Sequence, residues 1–279
     1  MVSHSPPEVE IEGIEVALLI EAIHRRWSFD FRDYAPASLK RRIRRILEEE
    51  GLASVSALQE RLLRDPACMQ RFLDRVTVSV TSMFRDPGLY RALRAEAVPL
   101  LRRRGALRVW HAGCSSGEEV YSMAILLSEE GLLGRARLYA TDLNQAALDA
   151  AKAGIYPLEK MREYTENYQA AGGKAAFSEY YQAGHGHVMM RPELSKNIVW
   201  ATHNLVTDAS FNEFDLILCR NVLIYFNERL QARVHRLLYD SLAEAGLLVL
   251  GRQESLRLTP HEAAYQALDS REKIYRRVG

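Results

Sequence analysis

The stretch Arg108–Ser122 reads RVWHAGCSSGEEVYS, and it decides the fold. A short apolar run ends at Gly113, a second glycine stands at Gly117, and an amphipathic helical pattern follows. Glycines at these points permit a tight turn and let a ligand approach the backbone closely. In an open α/β sheet, ligands bind beyond the carboxyl ends of the strands. The stretch therefore predicts a strand, a turn and a helix beside a ligand crevice, with a plain strand-to-helix turn as the alternative.

The chain after Gly105 continues with the same alternation of strand and helix. Apolar runs such as LILC (216–219) and LLVL (247–250) fit strands that are buried on both faces. Alternating strands and helices imply a mostly parallel sheet with helices on both faces. The stretch 155–196 breaks the rhythm and is too long for an ordinary loop, so we expect it to have structure of its own, with short strands in HGHVMMRPEL.

The chain before Gly105 reads as helical. Two apolar stripes indicate helices around Val16–Ile23 and Leu39–Leu47, and a third helical segment is predicted from Ser56 to about Phe72. Gly51 and Pro66 are the expected helix stops. We therefore predict a helical domain over 1–75, a linker segment and helix over 76–105, and an α/β domain over 106–279 with an insertion at about 155–196.

Composition narrows the class of protein. The 279 residues carry a formal net charge of +1, with 48% hydrophobic and 26% charged residues, which excludes a disordered or fibrous chain. The balanced charge argues against nucleic acid as the main partner. Three cysteines make no disulfide framework, and no apolar run reaches the roughly 18–20 residues of a membrane span. No signal peptide is evident, so we expect a cytoplasmic protein.

The acids around the glycine turn indicate the cofactor. Glu118 and Glu119 occupy the first helical turn, where they would repel a phosphate, and the three glycines of a dinucleotide site are absent. S-adenosylmethionine has no phosphate and is positively charged, so it suits this crevice. Asp142 ends the second strand and could accept hydrogen bonds from both ribose hydroxyls. Capping of the next helix is the alternative role of Asp142, although Asn144 could cap as well.

Five motifs together resemble the chemotaxis glutamate O-methyltransferase family, CheR. They are TSMFRD, HAGCSSGEEVYS, ATDLN, THNL and FDLILCRNVLIYF, and the resemblance runs from about Phe29 to Tyr275. It implies a small all-α N-terminal domain followed by an α/β, Rossmann-like S-adenosylmethionine-dependent methyltransferase sheet. It also implies a small antiparallel β-subdomain where the insertion at 155–196 lies. The activity that it implies is methylation of glutamate carboxylates on the cytoplasmic helices of chemoreceptors.

The resemblance also implies the cofactor contacts. Glu119 would face the methionine amino group, Asp142 the ribose, and Asn204 with Leu205 the adenine. The full set expected at the cofactor is Ser79, Thr81, Arg85, Gly113, Glu119, Asp142, Asn204, Leu205, Arg220 and Asn221. Two positions depart from the family pattern, because Ser79 stands where an asparagine is usual and Met83 where a phenylalanine is usual.

Arg85 and Tyr225 are the candidate catalytic residues. A glutamate acceptor with a pKa of about 4.3 is already ionised at pH 7 and needs no general base. Catalysis would then consist mostly of positioning. A strong grip on the carboxylate would stabilise the ground state, which favours a neutral hydrogen bond from Tyr225 over a tight arginine clamp. The motifs contain no metal site, and we expect none.

The segment ASLKRRIRRILEEEG (37–51) carries a cluster of basic residues. Arg41, Arg42, Arg44 and Arg45 surround its apolar stripe, and the acids follow at its end, against the helix dipole. We expect this face to bind an acidic receptor helix. A solvated face with pairs Arg44–Glu48 and Arg45–Glu49 is the alternative.

Several weaker signals remain. His185 and His187 lack a third metal ligand. Cys219 is expected to be a buried apolar side chain, and Cys114 a partly exposed one without thiolate character. The QESL segment (253–256) has no derivable role. The expected partners are chemoreceptor helices, and a receptor C-terminal peptide on the β-subdomain, for a monomer without membrane insertion. Methylation of another protein in a chemosensory-like pathway, or a non-catalytic cofactor-binding module, are the rival functions.

Overall fold

We describe a computed structural model of the chain, which covers residues 8–77, 81–257 and 259–279. The chain divides into two compact units. One holds the N-terminal helices together with the segment Tyr225–Gln231, and the other holds the remainder of the C-terminal part. Within the described residues, no helix has the length and apolar character needed to cross a bilayer.

The first unit consists mainly of four helices. They are α1 (Glu8–Trp27), α2 (Pro36–Glu50), α3 (Val55–Arg64) and α4 (Pro66–Val76). Apolar residues of all four meet in one core, which includes Leu19, Ile43, Leu58 and Phe72. Gly51 ends α2 at a φ of 63°, the left-handed conformation that glycine adopts without strain.

The helical segment predicted over Ser56–Phe72 is divided at Pro66, the expected stop, into α3 and α4. Pro66 is the first residue of α4, where its missing N–H costs nothing. The Asp65 side chain caps α4 by accepting a hydrogen bond from the Ala67 N–H at 2.8 Å. Pro66 therefore starts a helix as well as ending one.

The second unit is built on a seven-stranded sheet. Its strands are β1 (Leu107–Ala112), β2 (Ala136–Asp142), β6 (Ile198–Thr202), β7 (Phe214–Cys219), β8 (Leu242–Leu250), β9 (Tyr265–Asp269) and β10 (Ile274–Arg277). Their order is β6-β2-β1-β7-β8-β10-β9. The first five are parallel, and β10 runs antiparallel to both of its neighbours. The mixed α/β fold is confirmed, although β9 was not predicted.

The sheet has its topological switch point at β1. The chain proceeds from β1 to β2 on one side, and later strands return to place β7 on the other side. The crevice beyond β1 and β7 is therefore where a ligand is expected in such a sheet. Because β1, β2, β6 and β7 are parallel, the segments that follow them emerge at the same edge.

Most of the helices in this unit lie at predicted positions, and one of the predicted helices is irregular. They are α5 (Pro87–Ala92), α6 (Val98–Leu101), α7 (Glu118–Glu129), α8 (Gln145–Ala153), α9 (Met161–Ala170), α10 (Pro192–Ser195) and α11 (Glu228–Asp240). One helix was expected from Gly88 to about Arg103, but a π-helical turn, Leu93–Ala97, joins α5 to α6. Pro99 has no N–H to donate, and the wider turn directs the Val98 N–H to the Leu93 carbonyl.

The insertion forms a small antiparallel sheet of β3 (Ile155–Pro157), β5 (His187–Met190) and β4 (Tyr181–Ala183) in that order. This confirms the short strand in HGHVMMRPEL. The insertion also contains α9, which was not predicted. Its buried side chains Met161, Tyr164 and Tyr168 give it one apolar face.

Candidate functional site

The glycine turn between β1 and α7 has the form that the sequence predicts. Gly113 has a φ of 83° and Gly117 a φ of 88°, both left-handed. A Cβ at Gly113 would lie 2.6 Å from Val222 Cγ2, and one at Gly117 would lie 2.8 Å from Ala151 Cβ. The two glycines are therefore required both by backbone conformation and by close packing.

Asp142, at the end of β2, is bonded to this turn. Its Oδ2 accepts a hydrogen bond from the Ser115 N–H at 2.8 Å, and its Oδ1 accepts one from the Asn144 N–H at 2.9 Å. The cap of α8 is Asn144, whose Oδ1 accepts a hydrogen bond from the Ala147 N–H at 3.1 Å. The alternative role of Asp142 as helix cap is therefore wrong, and its carboxylate is kept at the crevice.

A series of connected side-chain contacts, most of them salt bridges, joins the segments around the topological switch point. Glu119 accepts hydrogen bonds from His111 Nδ1 and from Arg220 Nη1, both at 2.9 Å. Arg220 Nη2 donates to Asp86 at 2.6 Å, so one buried guanidinium joins two carboxylates from different elements. Arg252 in turn lies 3.5 Å from Asp86 and pairs with Glu272 at 2.8 Å.

The ionisation of Glu119 follows from these partners. Burial alone would raise the pKa of Glu119, but the hydrogen bond from His111 and the charge of Arg220 outweigh it and hold this pKa at about 2. An ionised carboxylate only accepts hydrogen bonds, so Nδ1 of His111 carries the proton in this pair. About 17% of the Glu119 side chain stays exposed, which leaves it accessible to a cation in the crevice.

Glu118, by contrast, is buried and bonded to the glycine turn and to the insertion. It accepts hydrogen bonds from Ser116 Oγ at 2.8 Å and from the Tyr164 hydroxyl of α9 at 3.4 Å. Burial raises the pKa of Glu118, opposed by these hydrogen bonds. Glu118 therefore connects the glycine turn to the insertion.

The linker segment approaches the crevice in an unusual backbone conformation. Phe84 and Asp86 have φ values of 52° and 58°, which are rare for residues with a side chain. The Phe84 N–H donates to Ser122 Oγ at 2.8 Å, and its ring packs 4.9 Å from Tyr90 and 5.2 Å from Tyr168. This buried packing holds the turn that contains Arg85. Thr81 and Arg85 are half-buried there, and Ser79 lies outside the described residues.

The segment after β6 forms a turn around Asn204. The Asn204 Oδ1 accepts a hydrogen bond from the Val206 N–H at 3.0 Å, and the Asn204 N–H donates to Asp208 at 2.8 Å. Leu205 is buried beside it. Asn204 and Leu205 thus follow the same sheet edge as Asp142, where the adenine is expected.

Tyr225 belongs to the first unit, where Arg42 contacts it. The Arg42 guanidinium lies 4.4 Å from the centroid of the Tyr225 ring, and its Nη1 donates to the Val76 carbonyl. Arg42 is only 8% exposed, so its expected place in an exposed receptor-binding face is wrong. The apolar packing of α2 turns this position inward.

The other arginines of α2 are exposed, but their pairing differs from the expected one. Arg45 pairs with Glu49 at 2.8 Å, as the alternative interpretation predicted. Arg44 pairs with Glu12 of α1 at 2.5 Å, and not with Glu48. Arg41 is exposed on the same helix.

The weaker sequence signals have plain structural roles. Cys114 is 3% exposed, so its expected partial exposure is wrong, and burial raises the pKa of its thiol well above the usual value. Cys219 is fully buried in β7. His185 and His187 are exposed, and no cluster of three or more metal-ligating side chains occurs in the described part of the chain.

Some residues of the site were not predicted. Asp86 and His111 stand inside quoted motifs, and a histidine in an otherwise apolar strand was the available signal for His111. Glu254 of the QESL segment accepts hydrogen bonds from the backbone that follows β7. The pairs Asp86–Arg220 and Asn221–Glu254 join residues far apart in the sequence, so only the fold reveals them.

The crevice suits a cationic adenosine cofactor without phosphates. Gly113 and Gly117 let the turn beside the crevice pack directly against Val222 and Ala151. Carboxylates of Asp86, Glu119 and Asp142 border the strand ends, and the buried Ser115 Oγ has no hydrogen-bond partner within the described residues. These groups favour an ammonium, a sulfonium and ribose hydroxyls over a phosphate.

Comparison with known proteins agrees with this chemistry. The model described as "CheR methyltransferase, SAM binding domain" matches residues 79–274, and that described as "CheR methyltransferase, all-alpha domain" matches residues 14–77. A putative methyltransferase, Cher3, of Pseudomonas putida is 50% identical over 95% of this chain and 97% of that protein. A chemotaxis protein methyltransferase of Listeria innocua is 31% identical over 89% of this chain and 92% of its own length.

One solved methyltransferase structure shows a weak likeness to this chain. The N-methyltransferase NodS from Bradyrhizobium japonicum, in complex with S-adenosyl-L-homocysteine, is 17% identical and covers 70% of each chain at a TM-score of 0.35.

Proposed function

The chain belongs to the CheR methyltransferase family, and from this premise we propose that it methylates glutamate side chains on the cytoplasmic helices of chemoreceptors. Its S-adenosylmethionine-binding domain makes it an S-adenosylmethionine-dependent methyltransferase. When bound, S-adenosylmethionine supplies a methyl group that is activated by its sulfonium. The proposed acceptor is a glutamate carboxylate of a chemoreceptor, and the proposed location is the cytoplasm.

The state of the titratable groups in the crevice carries the proposal. Glu119 is held ionised with a pKa of about 2, and His111 is buried beneath it with Nδ1 directed at that carboxylate. Asp142 is committed to two backbone N–H groups. Glu119, His111 and Asp142 are all engaged in hydrogen bonds within the protein, and the proposed acceptor, which is already ionised at pH 7, needs no general base.

The chain's own residues then bind and orient the reactants. Glu119 would hold the methionine amino group and Asp142 the ribose hydroxyls, while Asn204 and Leu205 border the adenine. Arg220 and Asn221 would adjoin the methionine end. Gly113 would allow close approach, and Ser79, Thr81 and Arg85 would contact the cofactor from the linker segment. Arg85 and Tyr225 would orient the acceptor carboxylate.

The receptor would be recognised by charge. Arg41, Arg44 and Arg45 present exposed cationic side chains on one helix, which would attract an acidic receptor helix. The insertion could in addition receive a receptor C-terminal peptide, since its small sheet exposes the apolar side chains of Ile155 and Met189. Conversion of a carboxylate into an ester removes a charge from the receptor bundle and would shift its signalling state.

Transfer of a tritiated methyl group from S-adenosylmethionine into receptor-containing membranes tests the proposal. We expect label in the receptor that mild base releases as methanol, because a methyl ester is base-labile. Label confined to another protein would instead support a methyltransferase with a different protein substrate. Tight binding of S-adenosylhomocysteine without transfer to any protein would indicate a non-catalytic module.

A further inference from the structure

Four backbone N–H groups converge on one buried side chain, Glu254, in the loop after β8. The Glu254 Oε1 accepts hydrogen bonds from Val222 and Leu223, both at 2.8 Å. Its Oε2 accepts hydrogen bonds from Asn221 at 3.1 Å and from Gly251 at 2.5 Å. Glu254 is 4% exposed, so this carboxylate is satisfied by the protein rather than by solvent.

The geometry is that of an anion-binding turn that is filled from within. Asn221 has a φ of 60°, and the N–H groups of three consecutive residues point to one place. Successive N–H groups arranged in this way form a concavity that attracts an anion. Because Glu254 occupies it, the turn cannot bind the carboxylate of an acceptor, which must then be oriented by side chains.

The turn that Glu254 holds borders the crevice at both of its ends. At one end, Arg220 bonds to Glu119 and Asp86. At the other end, Val222 lies so close to Gly113 that a Cβ there would be 2.6 Å from its Cγ2. A shift of this turn would therefore move both the salt bridges of Arg220 and the glycine turn.

We propose that Glu254 is a positioning residue for the cofactor, which fixes the turn 220–223 against the glycine turn. It acts through Arg220, Asn221 and Val222 and needs no contact with the cofactor itself. The inference rests on the assignment of Arg220 and Asn221 to the methionine end in the proposed function. Its test uses cofactor binding alone, so the result does not depend on which protein is methylated.

Glu254→Gln is the first variant, because it keeps the shape of the side chain but points an NH2 group at N–H donors. We expect the Kd for S-adenosylhomocysteine, measured by calorimetry, to rise by about 10- to 100-fold, since small displacements in a binding site have effects of this size. Glu254→Asp keeps the charge and should recover part of the affinity. Glu130→Gln is the matched control, because Glu130 is also buried and pairs with Arg94 at 2.8 Å, outside the turn.

A purely structural role would lower the melting temperature of Glu254→Gln without changing the Kd, and that result overturns the proposal. Glu130→Gln, unlike Glu254→Gln, should keep the Kd for S-adenosylhomocysteine within about twofold of wild type, and it should only lower the melting temperature. If Glu254→Gln does not fold, Gly251→Ala decides the question. A methyl group there would lie 2.7 Å from Glu254 Oε2 and 2.9 Å from the Asn221 nitrogen, so it displaces the carboxylate without removing it. A folded Gly251→Ala protein with unchanged Kd would also overturn the proposal.

Discussion

At the scale of single residues, four acidic side chains near the crevice have different roles because they have different partners. Glu119 is bonded to a histidine and an arginine, and Glu118 to a serine and a tyrosine. Asp142 and Glu254 are bonded to backbone N–H groups. Burial raises the pKa of Asp142 and that of Glu254, whereas the hydrogen bond from His111 and the charge of Arg220 lower the pKa of Glu119.

Asp142→Asn should weaken the binding of S-adenosylhomocysteine by about 10-fold or more, because hydrogen bonds to a charged group contribute about 1.5–3 kcal/mol each. Calorimetric titration measures the effect. Asp149→Asn on the exposed side of α8 is the control and should bind like wild type. Wild-type affinity in Asp142→Asn would remove this carboxylate from the cofactor site.

Tyr225→Phe should lower kcat by about 100-fold, the effect of losing one well-placed hydrogen-bond donor. The Kd for S-adenosylhomocysteine should change by less than about twofold, because the ring and its packing remain. Equal losses in kcat and in cofactor binding would contradict the orienting role.

Arg42→Met should also lower kcat, by about 10-fold, because the guanidinium over the Tyr225 ring holds that side chain in place. The KM for receptor should stay near its wild-type value, because Arg42 is buried. In the Tyr225→Phe background, Arg42→Met should lower kcat by a much smaller factor, as expected for coupled residues. Additive losses in the double variant would show that Arg42 does not act through the Tyr225 hydroxyl.

At the scale of elements, α2 places its arginines on two different faces of one helix. Its apolar residues and Arg42 face the interior, whereas Arg41, Arg44 and Arg45 face solvent. Arg44 is partly neutralised by Glu12 and Arg45 by Glu49. Exposed ion pairs of this kind contribute little to stability, so these charges can be altered without loss of the fold.

Reversal of Arg41 and Arg45 to glutamate should raise the KM for receptor about 5- to 10-fold at low ionic strength, since a cationic face speeds and strengthens encounter with an acidic helix. Added salt should shrink the difference, because it screens exposed charges. Arg64→Glu on α3 is the control, with an exposed arginine in the same unit. An unchanged KM at low salt would leave the basic face without a role in receptor binding.

At the scale of the whole molecule, the sequence predicts what depends on local pattern and misses what depends on distant partners. The glycine turn, the parallel strands and the Gly51 cap follow from residue type and spacing. Elements far apart in the chain determine the inward position of Arg42, the contact of Glu118 with Tyr164 and the four hydrogen bonds of Glu254. The division at Pro66 follows from the helix-stopping character of proline, whereas the π turn before Pro99 was missed because proline can also be accommodated within a helix.

The stability of the molecule should depend on pH through His235 of α11. Burial, together with the charge of His261, lowers the pKa of His235 to about 4 from an ordinary value of 6.5. Because the unfolded chain binds the proton more readily, stability is lost as the pH falls through this window, by about 3 kcal/mol in the free energy of unfolding. Urea melts of His235→Leu between pH 7 and pH 4 should show a shallower loss. The exposed His185→Gln is the control, and a His235→Leu profile parallel to that of wild type would contradict the assignment.

A crystal structure of the protein with S-adenosylhomocysteine tests the central claim most directly. The account predicts the ligand in the crevice beyond β1 and β7, with its ribose hydroxyls at Asp142 and its amino group at Glu119. Density for the ligand at any other place, or a crevice that takes ATP in preference to S-adenosylhomocysteine when both are supplied, would contradict it.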